Sequence, residues 1–116
     1  MTSILNIEEI TIKNRKKGPI IISTDKKGKG GRIQIAVMSL KNGEDIPFET
    51  HAHVTQFIRV EKGEGLAFIG RKKFVISEGD SFTIPSKIRH RILCTGKTLK
   101  MYSIYAKDST DEKWVH

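Results

Sequence analysis

An all-β barrel or sandwich is what these residues predict, on three grounds. Short runs of β-branched and aromatic residues follow one another closely along the chain. Glycine-bearing turns separate them at regular spacing. No convincing amphipathic helix competes, apart from a short stretch near Thr110 to Val115. Neither an internal repeat nor a low-complexity tract interrupts the pattern.

Ile10-Thr11-Ile12 and Ile20-Ile21-Ile22 read as early strands. Arg32 to Lys41 alternates, with Ile33, Ile35 and Val37 on one face. Gln56 to Glu61 reads as a strand, Lys62-Gly63-Glu64-Gly65 as a hairpin turn, and Leu66 to Ile69 as the return. Gly70-Arg71-Lys72 turns into Phe74-Val75-Ile76, and Glu78-Gly79-Asp80 leads to Phe82-Thr83-Ile84. Pro85-Ser86-Lys87 precedes a strand from Ile88 to Cys94. Thr95-Gly96-Lys97 then precedes a last one from Leu99 to Tyr105. The Gly28-Lys29-Gly30-Gly31 stretch lacks the spacing of a phosphate-binding loop and opens no helix, so it reads as a plain loop.

The 116 residues fit one domain, with 1–31 as N-terminal strands and a basic segment, and 32–116 as the barrel core with a short C-terminal tail. A chain of this length buries roughly 65% of its unfolded surface, enough for a core without staples. No apolar run approaches the ~20 residues of a membrane helix. Met1 to Ile10 lacks the basic start and apolar stretch of a secretory signal. With Cys94 as the one cysteine, no intramolecular disulfide forms, and a cytoplasmic setting is expected.

The net charge of +8 is concentrated. Between Thr11 and Arg32 lie Lys13, Arg15, Lys16, Lys17, Lys26, Lys27, Lys29 and Arg32, against Asp25 alone. Such a run attracts polyanions. It also suits a solvated edge guarded by lysines. Aromatics for stacking are not interleaved with these lysines, so nucleic acid is expected to bind weakly and without specificity, if at all.

Chemistry points to four residues. His51 and His53 are two apart, so on an extended strand both imidazoles project from one face. Gln56 opens the next strand. A bend at Val54-Thr55 would turn its amide back toward the same point. His90 lies far along the chain, with Ile88, Ile92 and Cys94 as face-mates. A histidine on an apolar face needs a partner, because burying its nitrogens unpaired costs ~1–3 kcal/mol. A hydrogen bond would satisfy it, and so would a metal shared with His51 and His53.

These motifs resemble the cupin superfamily, whose two motifs read G-x5-H-x-H-x3,4-E-x6-G and G-x5-P-x-G-x2-H-x3-N. His51-Ala52-His53 and the six residues between Gln56 and Gly63 follow the first, although only two residues separate His53 from Gln56; Gly79, Pro85 and His90 follow the second without gaps. The chain departs at Gly43, two residues too far from His51. Further departures are Gln56 in place of the acid, Lys87 in place of the second glycine, and Cys94 in place of the asparagine. Gln56 to Val60, Gly63-Glu64-Gly65 and Leu99 to Tyr105 look like a group of small stand-alone cupins in which glutamine is common at the acid position.

The resemblance implies a jelly-roll (double-stranded β-helix) barrel of antiparallel strands. It places His51, His53, Gln56 and His90 at the barrel mouth as ligands of a divalent metal (Fe, Mn, Ni or Zn), and implies a homodimer paired through N-terminal strands. Tyr105, Met101 and Cys94 are expected to line the interior as substrate contacts. Arg59, Arg71, Arg89 and Arg91 are expected at the surface, since alternation sets Arg89 and Arg91 opposite His90. Two functions fit: a metal-dependent oxygenase or isomerase acting on a small polar metabolite or sugar, and a non-catalytic module binding a small molecule or sugar. A polyanion-binding role for the basic segment is a third.

Overall fold

The computed structural model describes residues 20–24 and 33–107; the Ile10–Ile12 run, most of the basic segment and the Thr110–Val115 stretch lie outside the described residues. The elements are β1 (Ile20–Thr24), β2 (Ile33–Lys41), β3 (Asp45–Glu49), β4 (Val54–Ile69), β5 (Lys72–Ser77), β6 (Ser81–Ile84) and β7 (His90–Lys107). All pairings are antiparallel, and no helix occurs among the described residues.

Two long strands organise the molecule. β4 has 16 residues and β7 has 18, and they pair along nearly their whole length. Each serves two layers. Toward one end β7 pairs β2, which carries β1, while β4 pairs β6. Toward the other end β7 pairs β3 and β4 pairs β5. Inner side chains of both layers meet in one apolar cluster that includes Met38, Ile58, Val60, Ile76, Ile92 and Leu99. Burying each such side chain contributes roughly 1.5–3 kcal/mol.

The Lys62–Gly65 stretch is therefore no hairpin turn, as its glycines suggested, but the corner of a continuous strand. Register breaks fall between Val60 and Lys62 and between Gly63 and Gly65, which is how bulges bend a strand between layers. Gly63 sits at φ 93, and a Cβ there would collide with the Thr98 carbonyl oxygen. A side chain would push β7 away at the point where the two strands cross layers. Thr95-Gly96-Lys97 likewise runs inside β7 and does not interrupt it.

The alternation of β2 holds in the opposite sense to a simple apolar reading. Gln34, Ala36, Met38 and Leu40 face inward, and Ile33 is 47% exposed on the outer face. Ile35, Ile104 and Phe57 form one row on that same outer face.

Two inner rows define the mouth of the barrel. In antiparallel pairs, directly opposed residues point to the same side. One layer carries Gln34, Tyr105, Gln56 and Ile84 in register. The facing layer carries Glu49, His90, Ile69 and Lys72. The next row of the first layer carries Ala36, Ser103, Ile58 and Phe82, with Ser103 its one polar member.

Candidate metal centre

His90 opens β7 opposite Glu49, the last residue of β3. His51 follows two residues later, and Lys87 N–H donates to its carbonyl at 2.7 Å. Lys87 holds a left-handed backbone, φ 69. A residue with a Cβ is strained there by about 1–2 kcal/mol. The position is the one at which the second motif has glycine. The cross-link fixes the loop after β3 to the loop before β7, and so holds His51 beside His90. Their rings lie 5.3 Å apart.

Glu49, His51 and His90 form a cluster whose ligand atoms all lie within 4.8 Å of one another, the one such group among the described residues. His51 Nε2 is 3.2 Å from Glu49 Oε1, and His90 Nε2 is 3.4 Å from the same oxygen. His90 Nδ1 lies 3.0 Å from the Ile88 carbonyl. A carbonyl only accepts, so Nδ1 carries the hydrogen and Nε2 of the neutral ring presents a lone pair. That nitrogen is buried without a hydrogen-bond partner. It faces a carboxylate oxygen at 3.4 Å, and either a proton on Nε2 or a metal ion between the two would satisfy both.

The spacing fits a metal ion. Two donors bound to a single metal at about 2.1 Å are separated by roughly 3.0–3.4 Å in octahedral or tetrahedral geometry. Glu49 is also kept anionic. The His51 hydrogen bond foremost, and His90 beside it, hold its carboxyl down to about 2, while burial works the other way.

The other residues singled out in the sequence fall in different places. His53 is exposed and stands outside the cluster. Residues 50–53 leave the strand for a bend, with His53 at φ 130, so the extended backbone that a two-residue spacing assumes is absent there. The same period-two logic, applied one step earlier, finds Glu49. It lies two residues before His51, and its carboxylate was the signal that sequence reading missed.

Gln56 is 3% exposed on β4. Its Nε2 donates to Ser103 Oγ at 3.0 Å. Its Oε1 is buried without a hydrogen-bond partner. Tyr105 is directly opposite Gln56 and sets its ring edge against His51, 5.8 Å between centroids at 84°. Burial first, then Glu49, pushes the Tyr105 hydroxyl pKa well up, while a hydrogen bond with Ser103 pulls the other way. The phenol is therefore a fixed neutral donor beside the cluster.

Met101 and Cys94 lie deeper, in the apolar cluster. The Cys94 Sγ–H points to the Gly96 carbonyl at 3.5 Å, and burial raises its pKa, which leaves a thiol suited to packing. Three of the four arginines are occupied outside the barrel, and Arg71 is exposed in the turn before β5. Arg91 donates to Asp45 at 2.8 Å, Arg59 to Glu61 at 3.2 Å, and Arg89 stacks 3.9 Å over Phe48.

Comparisons with known proteins agree with this architecture. A family profile described as the cupin domain matches residues 36–105. The uncharacterised protein YrkC of Bacillus subtilis (strain 168) is 36% identical over 94 residues, 75% of this chain. An uncharacterised protein of Acanthamoeba polyphaga mimivirus is 36% identical over 108 residues, 89% of this chain. The chain spans 50% and 64% of the length of these two relatives. The crystal structure of BH2720 from Bacillus halodurans superposes with a TM-score of 0.78 at 33% identity, covering 100% of this chain and 89% of that one. With a matching profile over most of its length and relatives above 30% identity, the chain belongs to the cupin family.

Proposed function

We propose that this cupin binds one divalent transition metal through Glu49, His51 and His90 and acts as a metal-dependent enzyme on a small oxygen-bearing molecule. The observation that carries the reading is the buried, unpartnered Nε2 of His90 facing the Glu49 carboxylate. One carboxylate with two imidazoles is the donor set of non-haem iron(II) oxygenases, so iron(II) is favoured among Fe, Mn, Ni and Zn, and an oxygenase over an isomerase. The metal would supply a Lewis acid with open positions for substrate oxygens.

The chain's own groups have separate roles. Glu49 would bring the negative charge, and His51 would offer Nε2 in the tautomer whose hydrogen sits on Nδ1. The Ile88 carbonyl keeps His90 in the tautomer with Nε2 free. Tyr105 offers a hydroxyl that stays protonated at neutral pH.

Elemental analysis of tag-free protein prepared without chelator, with oxygen uptake measured on small carbonyl and carboxylate compounds, tests the reading. One metal per chain and substrate-dependent uptake are expected. A metal without any turnover would favour the non-catalytic binding module. Absence of metal after exposure to Fe(II), Mn(II), Ni(II) and Zn(II) would refute the assignment.

A further inference from the structure

The barrel parts along the seam between β5 and β6, where a cavity of about 340 Å³ opens. Its walls include Ile69, Phe74 and Phe82, with Lys72 and Asp80 also lining it. Ile69 is the cross-strand neighbour of His90 on one side and of Lys72 on the other. The cavity is thus one inner-row step from the metal centre, with a cation at its far end. Phe74 is 46% exposed although it shares the inward-facing register of Ala67.

The two charged groups differ. Asp80 Oδ2 accepts from the Ser77 backbone N–H at 2.8 Å and from the Ser77 hydroxyl at 3.4 Å, which ties it into its turn. The Lys72 ammonium has no hydrogen-bond or ion-pair partner among the described residues.

We propose that this seam binds an amphipathic monocarboxylate, its apolar body over Ile69, Phe74 and Phe82 and its carboxylate on Lys72. The volume is in the range of small-molecule sites, roughly 300–1,000 Å³. Ser81 and Thr83 also line the cavity, but its walls are mostly apolar, so most hydroxyls of a sugar would go unpaired, at a cost. A single ammonium with a carboxylate nearby matches one negative charge better than a dianion. A carboxylate neutralises Lys72. As the substrate site of the proposed enzyme the seam rests on the metal reading; as a binding site it stands alone.

Octanoate, acetate and octan-1-ol are titrated by calorimetry into chelator-treated protein and into the same protein after Zn(II) loading. One octanoate per chain is expected, at least ten-fold tighter than acetate and at least three-fold tighter than octan-1-ol, with or without metal. Lys72→Gln abolishes the preference over the alcohol and leaves the alcohol's own affinity unchanged. Phe74→Ser, at a half-exposed position that folding tolerates, weakens both at least five-fold. Octanoate bound no tighter than acetate, or a preference that survives Lys72→Gln, would overturn the proposal. So would a dimer that Phe74→Asp splits, since the seam would then be covered by a second copy. Protein that binds octanoate but takes up none of Fe(II), Mn(II), Ni(II) and Zn(II) sinks the metal reading alone; protein that takes up Zn(II) but ignores octanoate sinks the seam alone.

Discussion

Glu49→Gln should cost this protein at least ~100-fold in divalent metal affinity. The substitution keeps side-chain length and an acceptor oxygen while removing the charge. A unit charge about 3 Å from a dication attracts it by roughly 11 kcal/mol gross at an effective dielectric of ~20. Most of that is returned, because the Glu49 side chain is 34% exposed and regains hydration in the free protein. About a quarter surviving leaves ~2.7 kcal/mol, or ~100-fold. His53→Ala is the paired control, since that side chain is exposed and outside the cluster. Its metal affinity should stay within about three-fold of wild type. Calorimetric titration of Zn(II) into the three proteins, each verified as folded by circular dichroism, reads both effects. Loss in His53→Ala with Glu49→Gln unaffected would refute the ligand assignment.

Lys87→Gly should stabilise the fold. It relieves a left-handed residue at φ 69, and after glycine's extra unfolded freedom the net gain is up to about 1 kcal/mol, a rise of roughly 3–6 °C in thermal melts; a lower melting temperature contradicts it. Tyr105 has its pKa raised in the fold, so its contribution is complete below the unfolded value near ~10 and is lost as pH rises beyond it. Wild type should therefore weaken above pH ~10 more steeply than Tyr105→Phe, and parallel urea titrations at pH 8 and 11 would show if it does not. Gln56→Glu should destabilise metal-free protein by ~2–4 kcal/mol at pH 8, because a carboxylate would replace an amide that is 3% exposed. Its raised folded pKa makes the deficit shrink toward pH 5, and a deficit that grows on acidification would argue against a buried charge. The row of Ile35, Ile104 and Phe57 on the outer face, next to β1, is expected to pair with a second copy. Light scattering at micromolar concentration should give the mass of two chains, and the mass of one would exclude the pairing.

What the residues alone disclose depends on how local each feature is. The turns at Gly70 and Gly79 and the strands they join are set by neighbours in sequence, and both appear where their glycines place them. His90 on an inward apolar face is likewise a matter of alternation within one strand. The corners of β4 and β7 are different. Glycine there serves a close crossing between Gly63 and Thr98, which no local window reveals, and it mimics a hairpin turn. The same holds for the ligand set. Glu49 becomes its third member only because β3, a short strand with a weak sequence signature, pairs it with His90 across forty residues of chain. His53 is exposed because the backbone bends after His51, and a two-residue spacing carries no information about such a bend.

Anomalous diffraction from crystals grown with Fe(II) or Zn(II), collected on both sides of the metal's absorption edge, tests the central claim most directly. The account predicts a single full-occupancy peak about 2.0–2.2 Å from Glu49 Oε1, His51 Nε2 and His90 Nε2. A peak bonded to His53 in place of Glu49, or crystals in which His90 Nε2 faces the carboxylate with no anomalous density between them, would contradict it.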